Sequence, residues 1–119
     1  MLERRVNVDK EDPMSKPPSF YESMRAAHPR VVEAYESLGD ATRAAGPLSP
    51  AHAELVKLAL AAGARIQGAI HSHARRALEA GATPNEIRHV ALLAITTLGF
   101  PSAMAVRAMI EDVLSPEAR

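Results

Sequence analysis

No cysteine occurs anywhere in the 119-residue chain, and no tryptophan. The first absence removes disulfides, thiolate metal ligation and thiol redox chemistry together. Aromatic residues are scarce as well: Phe20, Tyr21, Tyr35 and Phe100 are the whole set, whereas alanine occurs 23 times. Small side chains let helices approach closely but bury little area each, at roughly 25 cal/mol per Å². Self-association is therefore expected to add burial that a single chain of this size lacks. Net charge is absent too. The segment "RRVNVDKED" mixes both signs, and "ARR" at 74–76 is too short for a basic patch and reads as a solvated helix face. Nothing resembles the basic stripe of a nucleic-acid binder. No apolar run reaches the roughly 18 residues needed to span a bilayer, and the N-terminus has no signal-peptide pattern. The expectation is a cytoplasmic protein with no membrane or nucleic-acid partner.

What is present is helical punctuation. Residues 1–16 are charged and without sustained apolar period, and read as an arm; 17–115 read as one domain and 116–119 as a tail. Ser19 with Glu22 has capping-box spacing. Pro29 should stop that helix near His28 and begin the next, which carries Val31, Val32, Tyr35 and Leu38 near one face, is weakened at Gly39 and ends at Gly46. Ser49-Pro50 opens a third helix, with Leu55, Leu58, Ala59 and Ala62 on one stripe and a break at Gly63. A fourth runs from about Ile66 to Ala80, with Gly81 as its left-handed C-terminal residue. Thr83, Pro84 and Glu86 form the strongest start signal in the chain. The helix after it, "IRHVALLAITTL", is apolar on most sides and is expected to be central and buried. "GFP" breaks it, and Ser102 to Leu114 forms the last helix, where Met104 and Met109 read as packing residues. The domain is all-α, with five or six helices and no internal repeat.

His71-x-His73 suggests a metal site at first sight. Residues two apart on a helix point about 200° away from each other, so the two imidazoles cannot share an ion there, and no metal site is expected. A partner for His73 must come from elsewhere, and Glu54 is the useful upstream carboxylate. On one straight helix 19 residues would part them by about 28 Å, so they meet only if the chain folds back near Gly63. A Glu–His pair on adjoining helices is a workable acid–base unit. Spacing alone favours the plainer reading, a surface or capping Glu54 and a hydrogen-bonded structural His73. His52 reads as exposed and His89 as a partly buried helix residue or a second pocket-lining base.

The segments "GPLSPAHAELVKLAL" and "HARRALEAGATPNEIRHVALLAITTLGFPSA", in that order, resemble the carboxymuconolactone decarboxylase family, which includes the alkylhydroperoxidase AhpD-like proteins. The resemblance covers roughly residues 17–115. The peroxidase branch carries Cys-x-x-Cys with a histidine four residues after the second cysteine and a glutamate twelve before the first. Counted back from His73, the cysteine positions are Ile66 and Ala69, and the glutamate is Glu54. The resemblance implies an all-α AhpD-like fold in which Glu54 and His73 approach each other. Peroxide reduction needs a thiolate nucleophile and a resolving thiol, which Ile66 and Ala69 cannot supply.

The decarboxylase branch also lacks the cysteine pair, and is similar to this chain in that respect. It implies a cofactor-free lyase acting on a small carboxylated lactone or related acid, in ring-like oligomers. Glu54 and His73 are then the catalytic candidates, with Arg65, His71 and His89 as weaker substrate-binding candidates and Arg75 and Arg76 as remote ones. The alternative is a non-catalytic helical oligomer with a binding or accessory role, favoured by the plain Ile66-Gln67-Gly68-Ala69 segment.

Overall fold

A computed structural model describes residues 19–115, which form six α-helices. They are α1 (Ser19–Ala27), α2 (Pro29–Ala44), α3 (Pro50–Ala64), α4 (Gln67–Glu79), α5 (Pro84–Leu98) and α6 (Phe100–Leu114). The expected arm, the side-chain cap of Ser19 and the tail beyond Ser115 lie outside the described residues. No strand occurs among the described residues, and none of their helices is long and apolar enough to cross a membrane.

Local chemistry places most helix ends as expected. Ser49 Oγ accepts from the His52 amide at 3.1 Å, with Pro50 in the first turn. Thr83 and Glu86 complete a reciprocal capping box, at 3.1 and 2.8 Å. Gly81, at φ 104°, closes α4: its amide meets the Leu78 carbonyl and the Ala82 amide meets that of Ala77. This is the paired-bond arrangement that satisfies the last carbonyls of a helix.

The turn between α3 and α4 departs from expectation. Gly63 stays helical, and the left-handed residue is Arg65, at φ 58°. The Arg65 and Ile66 amides bond back to Ala62 and Ala61, so the chain uses a glycine-type helix end with an arginine in the glycine position. The guanidinium reaches Ser102 Oγ at 2.8 Å, which ties the turn to the start of α6.

The core lies where α4 and α6 meet α3 and α5. Leu58, Ile70, Ala74, Ile87, Val106 and Ile110 are essentially sealed from solvent. Alanines on α3, α4 and α5 let these axes approach, as the composition implied. α5 corrects one expectation: it buries Ile87, Ala91 and Ala94, but Leu92 and Leu93 on its other face are exposed. An all-round apolar helix is thus only half covered by its own chain.

α1 and α2 form an N-terminal hairpin. Glu36 accepts from Tyr21 Oη at 2.7 Å and from Arg25, whose guanidinium also lies over the Tyr21 ring. Of the predicted apolar face of α2, Val32 alone is buried, while Val31, Tyr35 and Leu38 stand 57%, 67% and 62% exposed.

Candidate functional site

Glu54 occupies the first half of α3 and His73 the middle of α4, and the Arg65 turn folds these helices against each other. His73 Nδ1 then lies 3.0 Å from Glu54 Oε1. The second carboxylate oxygen, Oε2, accepts from Arg43 Nε, on α2. Three helices therefore meet in one chain of hydrogen bonds, guanidinium to carboxylate to imidazole.

Glu54 is almost fully buried. Burial opposes its charged form, but the hydrogen bonds from Arg43 and His73, with their charges, outweigh it and hold the carboxyl below its ordinary range. An ionised carboxylate only accepts, so the His73 proton sits on Nδ1. Burial also pushes His73 below its ordinary value; the hydrogen bond and charge of Glu54 act against this without overcoming it, and Lys57 and Arg43 lower it further. At neutral pH the imidazole is uncharged, anchored through Nδ1, with Nε2 left as a lone-pair base. That is the arrangement of an oriented proton carrier.

The other sequence candidates fall elsewhere. Ile66 caps α4 and is 55% exposed, and Ala69 follows in the first turn, so the cysteine-equivalent positions lead along α4 to His73. Arg65 is engaged with Ser102 and makes no contact with Glu54 or His73 among the described residues. His71 faces away from His73, and its Nε2 lies 2.9 Å from Asp112 Oδ2 on α6. The two histidines serve different carboxylates, as the helical angle between them requires. No cluster of three metal-ligating side chains occurs among the described residues. His89 is exposed and lines an open apolar groove of about 500 Å³ between α3 and α5, with His52, Leu55 and Leu93. Neither Glu54 nor His73 belongs to that wall. Arg75, read from sequence as solvated, is only 9% exposed, while Arg76 is exposed. Arg75 has no hydrogen-bond acceptor among the described residues; burial presses on its charge, and Glu79 is the carboxylate that opposes this.

Arg43 and Asp112 escaped the sequence reading. One signal for Arg43 existed: it and Glu54 stand at near-equal distances on either side of the Gly46–Pro50 turn, and such positions face each other in a helical hairpin. Asp112 lies 41 residues from His71 with no local mark.

Residues 29–112 match the model of the carboxymuconolactone decarboxylase family. No curated protein and no solved structure matches the chain with significance. The matched span begins at the first residue of α2 and holds Arg43, Glu54 and His73.

Proposed function

The chain belongs to the carboxymuconolactone decarboxylase family, and from that premise we propose that it is a cofactor-free acid–base lyase acting on a small carboxylated lactone or related acid. One observation carries the reading: the Glu54–His73 pair is assembled and oriented, with Glu54 buried and His73 half-buried, although both cysteine positions are Ile66 and Ala69. In the proposed step the bond between the departing carboxylate and the lactone ring breaks. Its electron pair passes into the conjugated lactone carbonyl as CO₂ leaves. A proton delivered from His73 Nε2 then quenches the dienolate at carbon. The imidazole takes that proton from solvent, and Glu54 steadies the transient imidazolium through Nδ1. Thiol peroxidase activity has no nucleophile here.

Turnover of lactone acids, followed by CO₂ release, tests this. Wild type is expected to turn over, and His73→Ala to lose on the order of 10²-fold or more. Equal rates in the two proteins remove His73 from the mechanism.

A second reading is a non-catalytic helical oligomer with a binding or accessory role. The apolar faces of α2 and α5, with Tyr35, Leu38, Leu92 and Leu93 open, favour association, and we infer a homo-oligomer, trimer or hexamer, under either reading. Sedimentation is expected to show that assembly at micromolar concentration, and a stable monomer overturns it. A stable oligomer that turns over no lactone acid favours the second reading.

A further inference from the structure

The acid–base pair supplies a proton carrier but nothing to hold a substrate's negative charge. Arg65, the sequence candidate for that role, is spent on Ser102. Arg43 gives its Nε to Glu54. Lys57 stands one helical turn after Glu54 on α3, half-buried, and meets no carboxylate at ion-pair distance among the described residues. Two cations against one carboxylate leave one positive charge uncompensated around a neutral imidazole. A half-buried ammonium without a counter-ion is costly in proportion to its desolvation, and an anion placed beside it recovers that cost.

There is room for one. Lys57 and Arg43 line the same pocket, of about 200 Å³, at the corner between α2 and α3. Its remaining wall is mostly apolar, from Leu48, Ala53 and Val56, with Thr42 at the edge. The Thr42 hydroxyl donates to the Gly39 carbonyl, so the side-chain donors left among the lining residues are those of Lys57 and Arg43. The volume is below the roughly 300–1,000 Å³ of sites that enclose drug-sized molecules. It suits a small acid, or the carboxylated end of a larger one.

We propose that this pocket is a carboxylate subsite, in which Lys57 and the outer guanidinium nitrogens of Arg43 hold the carboxylate of a small organic acid while Leu48 and Val56 cover its apolar body. Arg43 is the link to the chemistry: it lines the pocket and touches the carboxylate that orients His73. The subsite deepens the lyase reading and rests on it for the identity of the chemistry, not for binding. An anion seated there offsets the Lys57 and Arg43 charges that now disfavour the imidazolium, so ligand binding raises the proton affinity of His73.

The probe is paraconate, a five-membered lactone bearing one carboxylate, with its neutral methyl ester as control. Calorimetry reads affinity, and NMR titration of the His73 ring reads its pKa. Wild type is expected to bind paraconate and to show an upward His73 shift on binding. Lys57→Met is expected to lose about ten-fold or more in affinity, together with that shift; Lys57→Arg restores most of both, and the ester distinguishes none of the three proteins. Absence of paraconate binding by wild type, or equal affinity in wild type and Lys57→Met, overturns the subsite. Turnover unaffected by Lys57→Met also overturns it, and leaves the lyase reading standing. Lys57-dependent binding without turnover of any lactone acid by wild type supports the subsite and sinks the lyase reading.

Discussion

His73 Nδ1 lies 3.0 Å from Glu54 Oε1, and the same carboxylate takes Arg43 Nε on its other oxygen. The flanking groups act on His73 with opposite signs: Glu54 favours the imidazolium, and Arg43 and Lys57 disfavour it.

Opposite substitutions should therefore move His73 in opposite directions. Glu54→Gln removes the anion and is expected to lower the His73 pKa further. Arg43→Met removes a cation and is expected to raise it. Ring-proton NMR titration checks both, and an unmoved value in both variants would show that burial alone governs the imidazole. Arg43→Met also strips a buried carboxylate of its guanidinium and is expected to cost about 3 kcal/mol in urea unfolding.

Acid should destabilise the protein in two stages. The folded His73 value lies below its ordinary 6.5, so the unfolded chain binds more protons just below that pH, and stability present above it is lost on acidification. Glu54 is also lowered when folded, and its contribution disappears at lower pH, as the carboxylate protonates. Unfolding free energy measured at descending pH should fall in both regions. His73→Gln is expected to flatten the upper stage only; a profile unchanged by that substitution contradicts the assignment.

The Arg65 turn holds strain that glycine would release. A side chain in the left-handed region costs about 1 kcal/mol or more, and the exposed bond to Ser102 returns about 0.5 kcal/mol. Arg65→Gly is expected to raise Tm slightly. Arg65→Ala, which keeps the strain and loses the bond, is expected to lower it. The reverse order of the two variants would show that the Ser102 contact outweighs the backbone.

Cysteines placed at positions 66 and 69 should confer redox chemistry. Ile66 is the N-cap of α4 and Ala69 lies in its first turn, where the helix N-terminus favours a thiolate. Ile66→Cys/Ala69→Cys is expected to reduce peroxide with a dithiol as reductant: one thiolate attacks the peroxide oxygen, the alcohol leaves, and the second thiol closes the disulfide with loss of water. Wild type is expected to be inert. A double variant as inert as wild type argues that the geometry around these two positions does not support the peroxidase step.

The readable parts of the chain were those decided within a turn or two of backbone. Ser49-Pro50, Thr83-Pro84-Glu86 and Gly81 mark helix ends by their own hydrogen bonds, and each end falls where those residues imply. Glu54 and His73 were legible as a pair through spacing shared with a family. Arg43 was not, because its bond to Glu54 depends on how two helices cross. The turn at Arg65 was misplaced to Gly63, since glycine permits a break without requiring one. Apolar periodicity on α2 and α5 announced buried faces, yet Tyr35, Leu38, Leu92 and Leu93 are open. A hydrophobic stripe reports that a surface avoids water, not which surface covers it.

The N-terminal hairpin enters the body of the domain through few anchors, with Val32 the one buried residue of α2 and Arg43 its ionic hold. Local opening of that hairpin and disarming of the acid–base pair are therefore one event: each excursion of α2 withdraws the guanidinium from Glu54 and frees the carboxylate to rotate or protonate. On the proposed function, amide exchange along α2 and the competence of His73 should share a single free energy. Whatever clamps the hairpin should then hold a larger fraction of the protein with Arg43 seated on Glu54, without touching the imidazole.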